Sequence, residues 1–247
     1  DPLIQRVVLV PDELGSAGMA TLIEIGAALD RFKTSNKPVI AYGDGLEQRG
    51  YYLAAHASKV YLHPEGAVLL EGLSRYRTFF KGAFDKLGVE PRLFRVGEFK
   101  SAGEPYIRTE MSPEAREADL YWMGDLWQRY LADVARLRKL DPAKLAAEID
   151  ALDSLVKAAN GDLARMALEQ GLVDELKTRD QVRAELIAAG AEDPESKSFR
   201  QIGVEEYVAA VEMREPDNGT DRVAIVVAEG EITSGDQPPG TVGGDST

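Results

Sequence analysis

Apolar residues along the first hundred positions alternate between two patterns: short continuous runs, and residues that recur at helical spacing. Residues 7–10 and 38–42 are compact apolar runs bounded by turn residues, which is typical of buried strands. A helical repeat begins at Met19, and another covers residues 48–58. Strands that alternate with helices predict βαβ units around a largely parallel sheet, so the predicted fold class is α/β.

Further short apolar runs follow before residue 100. Residues 60–62 and 68–70 are predicted as two strands separated by the turn at residues 63–66. A helix is predicted over residues 78–87 and another strand over residues 92–96. These extra strands predict a sheet more complex than a simple doubly wound one.

The middle of the chain has a helical pattern. Ser112 suits the N-cap of a helix and Pro113 its first position, and an apolar stripe then extends to residue 137. The stripe carries Trp122, Trp127 and Tyr130, which we interpret as core or subunit-contact residues rather than a ligand site. Shorter helices are predicted at residues 142–150, 161–169, 178–189 and 204–213.

The last part of the chain changes character again. Residues 216–220 have linker composition, residues 223–227 form a buried-type strand pattern, and residues 235–244 are a loop rich in glycine and proline. We therefore predict three regions. Residues 1–106 form an α/β domain, residues 107–215 a helical region, and residues 216–247 a linker with the opening strand and loop of a truncated second domain.

Composition excludes several classes of function. Hydrophobic residues make up 44% and charged residues 29% of the 247 positions, which is ordinary for a globular protein. The formal net charge is −13, and the whole excess falls in residues 106–247 because acidic and basic residues balance before that point. This charge argues against nucleic acid as a partner. No cysteine is present, which excludes disulfides, thiol catalysis and cysteine metal sites.

The two histidines do not suggest a catalytic or metal site. His56 lies in an alanine-rich helical segment, and His63 lies between a strand and a proline. Their spacing matches no metal-binding motif, so we interpret both as structural and do not favour a Ser–His–Asp triad. The glycine-rich turns match neither a phosphate loop nor a dinucleotide fingerprint.

One lysine stands in an unusual local sequence. Residues 94–106, FRVGEFKSAGEPY, place Lys100 between two glycines and among aromatic residues. Gly97 permits a tight turn, and Pro105 interrupts the chain again shortly afterwards. The residues alone leave two interpretations open. Lys100 is a solvated loop cation, or it is a desolvated lysine that can act in its neutral form as a general base.

Three segments carry a resemblance to a known family. GEFKSAGEPYIR, MSPEAREAD and GTVGGDST, which begin at residues 97, 111 and 240, resemble the signal peptide peptidase A (protease IV) family. The resemblance implies the spiral ββα fold shared by Clp protease and the crotonases, with an appended helical region. It also implies a Ser–Lys dyad in which Lys100 is the catalytic general base, and it implies no metal or organic cofactor.

The resemblance implies a biological setting as well. Members of the family are bacterial serine endopeptidases that are anchored in the inner membrane and degrade cleaved signal peptides on its periplasmic side. They assemble into homo-oligomers. We therefore expect peptide substrates, further copies of the chain as partners, and a membrane anchor outside this chain.

The nucleophile is not expected in this chain. The family's serine lies in the C-terminal half, in an alanine-serine-glycine-glycine-aromatic turn that this sequence lacks. For that reason we reject Ser101 as the nucleophile, although it adjoins Lys100. The corresponding turn here covers residues 45–52, and if Tyr51 and Tyr52 align with the aromatic pair, Gln48 occupies the serine position. We expect a fragment that supplies the base, lacks the nucleophile and is inactive alone.

Two other functions stay open at this point. A crotonase-type acyl-CoA enzyme would share the fold, but it predicts an adenine-nucleotide site and no conspicuous lysine loop. A non-catalytic scaffold or binding half would need neither a base nor a nucleophile. A serine in a glycine-flanked turn, in the sequence that follows Thr247 in the whole protein, would distinguish a Ser–Lys peptidase from these classes.

Overall fold

The computed structural model describes residues 1–212, 231–233 and 241–243. They divide into two compact units, residues 1–200 and residues 201–247. The strands of the first unit are Val7–Leu9 (β1), Val39–Glu47 (β2), Lys59–Leu69 (β3) and Glu175–Leu176 (β4). Its α-helices are Met19–Lys33 (α1), Gln48–Ala55 (α2), Lys81–Leu87 (α3), Glu104–Ile107 (α4), Pro113–Arg138 (α5), Pro142–Asp150 (α6), Leu152–Ala158 (α7), Leu163–Glu169 (α8) and Arg179–Ala188 (α9).

The four strands of the first unit form one sheet in chain order, and each neighbouring pair is parallel. Helices connect the strands, because parallel neighbours need a crossover between them. The α/β class predicted from the sequence is confirmed. Helices predicted near residues 142–150, 161–169 and 178–189 are present as α6, α8 and α9, whereas α7 was not predicted.

The pairing of β2 with β3 is longer than the sequence predicted. It runs from Ile40 opposite Lys59 to Glu47 opposite Leu69, with a shift of register between Gly43 and Gly45. The two short strands predicted at residues 60–62 and 68–70 are therefore one strand. Gly66 permits this continuation, because a Cβ atom there would lie only 2.4 Å from the Asp44 carbonyl oxygen.

The strand predicted over residues 92–96 is wrong. Near its start β3 pairs with β4, through Tyr61 opposite Glu175 and Leu62 opposite Leu176. Residues 92–96 have no strand neighbour in the described part of the chain, and the side chains of Phe94 and Val96 are 92% and 84% exposed. An apolar run predicts a strand only where a sheet edge and a core are available to it.

Both faces of the sheet are covered, because β2 alternates its side chains between two cores. On one face Ile40 and Tyr42 pack with Tyr61 and with Val182 and Leu186 of α9. The larger core lies on the other face, beneath α1, α2 and α5. Its buried members include Leu22, Leu29, Val39, Ala41, Leu46, Tyr51, Tyr52, Val60, Leu62, Tyr130, Leu131 and Val134.

The long helix α5 begins as the sequence predicted. The Ser112 side chain accepts a hydrogen bond from the Ala115 N–H at the first turn, where Pro113 stands. Apart from Ala115, the buried apolar residues of the stripe lie in its C-terminal half, around Tyr130. Trp127 is half-buried and stacks on Tyr130 with ring centroids 5.1 Å apart, whereas Trp122 is exposed.

Helices α1 and α2 approach closely at a buried histidine. A Cβ atom on Gly26 of α1 would lie 2.4 Å from the His56 Nε2 atom, so only glycine fits there without movement of the ring. The His56 Nδ1–H donates to an Asp30 carboxylate oxygen over 3.1 Å, and the ring packs edge-on against Tyr52. Since His63 is also engaged locally, through its Nδ1 atom and the Glu65 N–H, both histidines have structural contacts.

Asp174 connects the sheet to α5. Its carboxylate accepts hydrogen bonds from the Val60 N–H at 2.7 Å and from the Arg138 guanidinium at 3.0 and 3.1 Å. Burial by itself raises the pKa of Asp174, but the hydrogen bonds from Arg138 and Val60 outweigh this effect and lower the pKa below its usual value.

The described part of the second unit contains the helix Val204–Glu212 (α10) and two short strands, Glu231–Thr233 (β5) and Thr241–Gly243 (β6). The two strands pair in parallel, with Ile232 opposite Val242. Residues 241–243 were predicted as loop, and their pairing shows that this is wrong. The strand predicted at residues 223–227 lies outside the described residues, and the domain boundaries predicted after residues 106 and 215 stay predictions.

We expect the substitution Gly26→Ala to lower the free energy of unfolding by about 1–3 kcal/mol, because the new methyl group overlaps the buried His56 ring. Urea denaturation of the 247-residue chain measures the change. As a matched control, Gly124→Ala on the exposed side of α5 meets nothing within 4 Å and should stabilise the helix by about 0.5–1 kcal/mol. Equal effects of the two substitutions would contradict the packing argument.

We also expect Asp174→Asn to lower the free energy of unfolding near pH 7 by about 1–2 kcal/mol, since a neutral amide cannot form the ion pair with Arg138. A carboxylate whose folded pKa lies below its unfolded value of 3.8 stabilises the fold above that value. The stabilisation is lost as the pH falls through the folded pKa.

The difference between wild type and Asp174→Asn should therefore shrink at acidic pH, and urea denaturation at two pH values tests this. Asp180→Asn is the control, because Asp180 is exposed and its salt bridge with Arg183 lies on the helix surface. A difference for Asp174→Asn that is as large at low pH as at neutral pH would show that the charge is not the cause.

Candidate functional site

Lys100 lies on a loop that precedes the short helix α4. Gly97 has a φ of 101°, in the left-handed region, and the Lys100 N–H donates to the Gly97 carbonyl over 3.4 Å. The predicted tight turn at Gly97 is therefore present. The Lys100 side chain is exposed, and among the described residues its ammonium group has no ion-pair or hydrogen-bond partner.

Contacts at the C-terminal end of the loop fix its position. Phe80 donates its N–H to the Pro105 carbonyl over 2.7 Å, and its ring stacks on Tyr106 with centroids 5.9 Å apart. Tyr106 also stacks on Phe84 of α3. The start of α4 is thus packed against α3, although α3 itself has no buried residue.

Two arginines hold the loop backbone around the lysine. The Arg95 guanidinium donates to the Lys100 carbonyl over 3.1 Å. Arg77 donates to the Ser101 carbonyl over 3.3 Å and to the Ser101 Oγ over 3.1 Å. The Ser101 hydroxyl oxygen therefore accepts from a cation, and no hydrogen bond joins it to the Lys100 ammonium in the described part of the chain. The rejection of Ser101 as a nucleophile stays a prediction.

A buried carboxylate lies at the end of the lysine loop. The Glu104 side chain is 0% exposed, and its two oxygens accept hydrogen bonds from the Ser112 N–H and the Ser112 hydroxyl. The Arg95 guanidinium lies 3.5 Å from one of these oxygens. Burial by itself raises the pKa of Glu104, but the hydrogen bonds from Ser112 and the nearby cations outweigh it and lower the pKa below its usual value.

The side chain of Gln48, at the start of α2, binds the backbone of the segment that follows β3. Its side-chain oxygen accepts from the N–H groups of Glu71 and Gly72, and its side-chain nitrogen donates to the Gly72 carbonyl over 3.1 Å. The Gln48 carbonyl accepts from the Tyr130 hydroxyl over 2.9 Å. The side-chain amide therefore forms hydrogen bonds with the segment after β3 much as the backbone of a neighbouring strand would. Among the described residues, no hydrogen bond joins Gln48 to Lys100.

The lysine loop is evident from the sequence, but the residues that hold it are not. Glu104 stands directly before Pro105, and a glutamate in that context reads as part of an exposed turn. Its burial depends on Ser112, eight positions away, and on the fold of the intervening α4. The one feature of the sequence that points to this contact is Ser112. Its role as the N-cap of α5 fixes a hydroxyl group close to Glu104.

Large apolar side chains are exposed throughout the region that contains the lysine loop. Single exposed apolar residues are normal, but a concentration of them marks a surface that another chain or segment covers. The exposed large apolar residues between positions 73 and 122 are Leu73, Tyr76, Phe80, Leu87, Val89, Leu93, Phe94, Val96, Phe99, Tyr106, Leu120, Tyr121 and Trp122. None of the helices that the structure describes is both long and apolar enough to span a bilayer.

Comparison with known proteins identifies relatives along the whole chain. Residues 31–191 match the family model of peptidase family S49. Protease 4 of Salmonella typhi is 37% identical over 247 residues, which are 100% of this chain and 39% of the relative. Protease 4 of Haemophilus influenzae is 34% identical over 247 residues, again 100% of this chain and 40% of the relative.

A plant relative is more distant. The chloroplastic serine protease SPPA of Arabidopsis thaliana is 25% identical over 251 residues, which correspond to 98% of this chain and 35% of the relative. The chain thus spans between 35% and 40% of the length of these curated relatives. The resemblance predicted from the lysine loop and its neighbouring segments is confirmed. The chain belongs to peptidase family S49, the family of the protease 4 proteins.

Proposed function

We propose that this chain carries the general-base half of a serine endopeptidase that degrades cleaved signal peptides through a Ser–Lys dyad. Lys100 is the base, and the nucleophilic serine belongs to a part of the protein outside this chain. Membership of family S49 and the names of the protease 4 relatives support peptide hydrolysis. The restriction to signal peptides rests on the resemblance of the lysine segment alone.

The observation that carries the proposal is the contrast between the backbone and the side chain of Lys100. Arg95, Gly97 and the start of α4 hold the backbone, whereas the ammonium group is exposed and unpaired within the described residues. A surface lysine with no catalytic role needs no such support from neighbouring arginines. A general base needs a fixed origin and an amine that is free to meet its substrate proton.

The proposed reaction requires a neutral amine at Lys100. In that form Nζ takes the proton from the serine hydroxyl while the serine oxygen attacks the peptide carbonyl. The resulting ammonium returns the proton to the leaving amine, which departs from the acyl-enzyme. Water then attacks the acyl-enzyme with the same amine as base, and the ammonium gives the proton to the departing serine oxygen. The carboxylic acid product leaves, and the free serine and the neutral lysine are restored.

The exposed state of Lys100 in this chain bears on that requirement. A lysine that acts as a nucleophile's base works in a site shielded from water, and the described residues leave the Lys100 side chain exposed. The apolar side chains around the loop are exposed in this chain. They support the proposal that the remaining part of the protein and further copies cover this surface in the whole enzyme. We propose a homo-oligomer of this kind, held at the bacterial inner membrane by an anchor outside this chain and facing the periplasm.

A non-catalytic role for this half is the second candidate. The Gln48 amide, which occupies the predicted serine position, supports it because that amide is fully engaged with the backbone of residues 71 and 72. Under this reading Lys100 is a loop cation and the half serves as scaffold. The two candidates differ in the effect of removing the Lys100 amine.

The 247-residue chain alone should hydrolyse neither peptides nor peptide esters, and it should not react with serine-directed fluorophosphonates. The reason is that Ser101, the serine beside the proposed base, has its oxygen engaged with Arg77. Intact-mass spectrometry after incubation with the probe measures the reaction. The full-length protein is the positive control, and a covalent adduct on Ser101 in the short chain would overturn the placement of the nucleophile elsewhere.

Lys100→Arg in the full-length protein should abolish turnover and leave folding and assembly intact. Arginine keeps the positive charge but cannot give up its proton in the working range, so it cannot act as a base. The expected loss in kcat is at least about 10²–10⁴-fold. Lys86→Arg on α3 is the matched control, because Lys86 is also exposed. Wild-type turnover by Lys100→Arg would remove the general-base role and favour the scaffold.

A further inference from the structure

The lysine loop contains a fully buried glutamate whose role the reaction scheme does not explain. Glutamate is almost never fully buried unless it is paired, because removing its charge from water is costly. Glu104 has no accessible surface, although it lies only four positions after the exposed Lys100. A glutamate kept in such a place serves the loop around it rather than solvent or a distant partner.

Each oxygen of the Glu104 carboxylate has a defined donor on a neighbouring segment. One oxygen accepts from the Ser112 N–H over 3.1 Å. The other accepts from the Ser112 hydroxyl and lies 3.5 Å from the Arg95 guanidinium. The same Ser112 hydroxyl accepts from the Ala115 N–H and so caps α5. Glu104 therefore joins the lysine loop to the first turn of the longest helix in the described chain.

Arg95 extends this connection to the lysine itself. One of its terminal nitrogens, Nη1, donates to the Lys100 carbonyl over 3.1 Å and reaches Glu104 over 3.5 Å. A guanidinium on an exposed loop would otherwise sample many positions, since long side chains lose considerable rotamer entropy when they are fixed. The negative charge of Glu104 holds it where it bridges the two residues.

We propose that Glu104 is a positioning residue for Lys100. Its carboxylate anchors the lysine loop on the N-terminus of α5 and orients Arg95, which in turn holds the Lys100 carbonyl. The inference rests on the proposed function, because it concerns the placement of the base in that reaction. In the described residues, the Glu104 carboxylate forms hydrogen bonds with Ser112 and Arg95, and no hydrogen bond or ion pair joins it to the Lys100 ammonium.

The substitution E104Q separates charge from shape. Glutamine has the same size, but it offers one oxygen acceptor, whereas the carboxylate uses both of its oxygens. One oxygen of Glu104 faces the Ser112 N–H, and the other faces the Ser112 hydroxyl and Arg95. In either orientation the amide nitrogen of glutamine therefore faces a donor. The negative charge that orients Arg95 is removed, while the volume of the buried site is almost unchanged.

A merely structural role and a positioning role predict different kinetics in the full-length protein. Loss of stability alone reduces the number of folded active sites but leaves turnover per site unchanged. Misplacement of the base lowers kcat per site and leaves KM unchanged, because the base acts in the transition state rather than in binding. Titration of the nucleophile with a fluorophosphonate counts the sites, and thermal unfolding reports the stability.

We expect E104Q to lower kcat per titrated site by about 10–100-fold, with KM within about twofold of wild type, since small displacements of a catalytic group have effects of this size. E98Q is the matched control, because Glu98 is an exposed glutamate in the same loop and its loss changes the charge equally. E98Q should retain wild-type turnover. Turnover per site of E104Q within about twofold of wild type would overturn the proposal.

A second variant keeps the test decisive if E104Q yields no titratable sites. R95M keeps the aliphatic part of the side chain and removes the bridge from Glu104 to the Lys100 carbonyl without opening the buried carboxylate site. We expect a fall of about 10-fold in kcat per site, with R92M, an exposed arginine in the same segment, as control. Equal turnover of R95M and R92M would overturn the proposal.

The outcomes also separate this inference from the proposed function. If K100R keeps wild-type turnover, the general-base role fails, and with it the reason for positioning Lys100. If K100R is inactive while E104Q and R95M turn over at wild-type rates per site, the base is established and only the positioning role fails. Inactive K100R together with slow E104Q and normal E98Q supports both.

Discussion

The parallel pairing of β2 with β3 determines where every other element of the first unit can lie. Its two central strands are buried on both faces, so helices have to cover each side. The pairing continues through a register shift because Gly66 lets β3 approach the Asp44 carbonyl. That continuation carries β3 to Leu69 and places residues 71 and 72 beside the start of α2, where Gln48 binds them. One backbone approach therefore connects the sheet with the segment that leads to the lysine loop.

The sequence could predict the features whose causes are local. The cap at Ser112, the turn at Gly97 and the helical repeat from Met19 each depend on residues within a few positions. The strand predicted at residues 92–96 is absent because strand formation needs a neighbour, and the outer edge of β3 pairs instead with β4, at Tyr61 and Leu62. Membership of family S49 brings the Clp protease and crotonase-like fold that the resemblance implied, whereas periodicity alone established only α/β.

The candidate site was predicted only in part for the same reason. Lys100 is conspicuous in the sequence because two glycines flank it, but Glu104 and Arg95 acquire their roles only through contacts made across the folded loop. Gln48 lies between these cases. Its assignment to the serine position is a prediction that depends on aligning Tyr51 and Tyr52 with the family's aromatic pair. Its hydrogen bonds with the backbone after β3 depend on a register shift that the apolar pattern does not reveal.

The arrangement of Lys100 has a consequence for how the proposed peptidase would be controlled. The Lys100 amine is exposed in this chain, and no serine hydroxyl is hydrogen-bonded to it in the described residues. The loop backbone is already fixed in this chain, so covering the exposed apolar surface adds desolvation without having to order the loop. Under the proposed function, the base would become competent only on assembly with the nucleophile-bearing part, because the same event supplies the serine and removes the water. An unassembled half would then carry a positioned lysine with no hydrolytic activity.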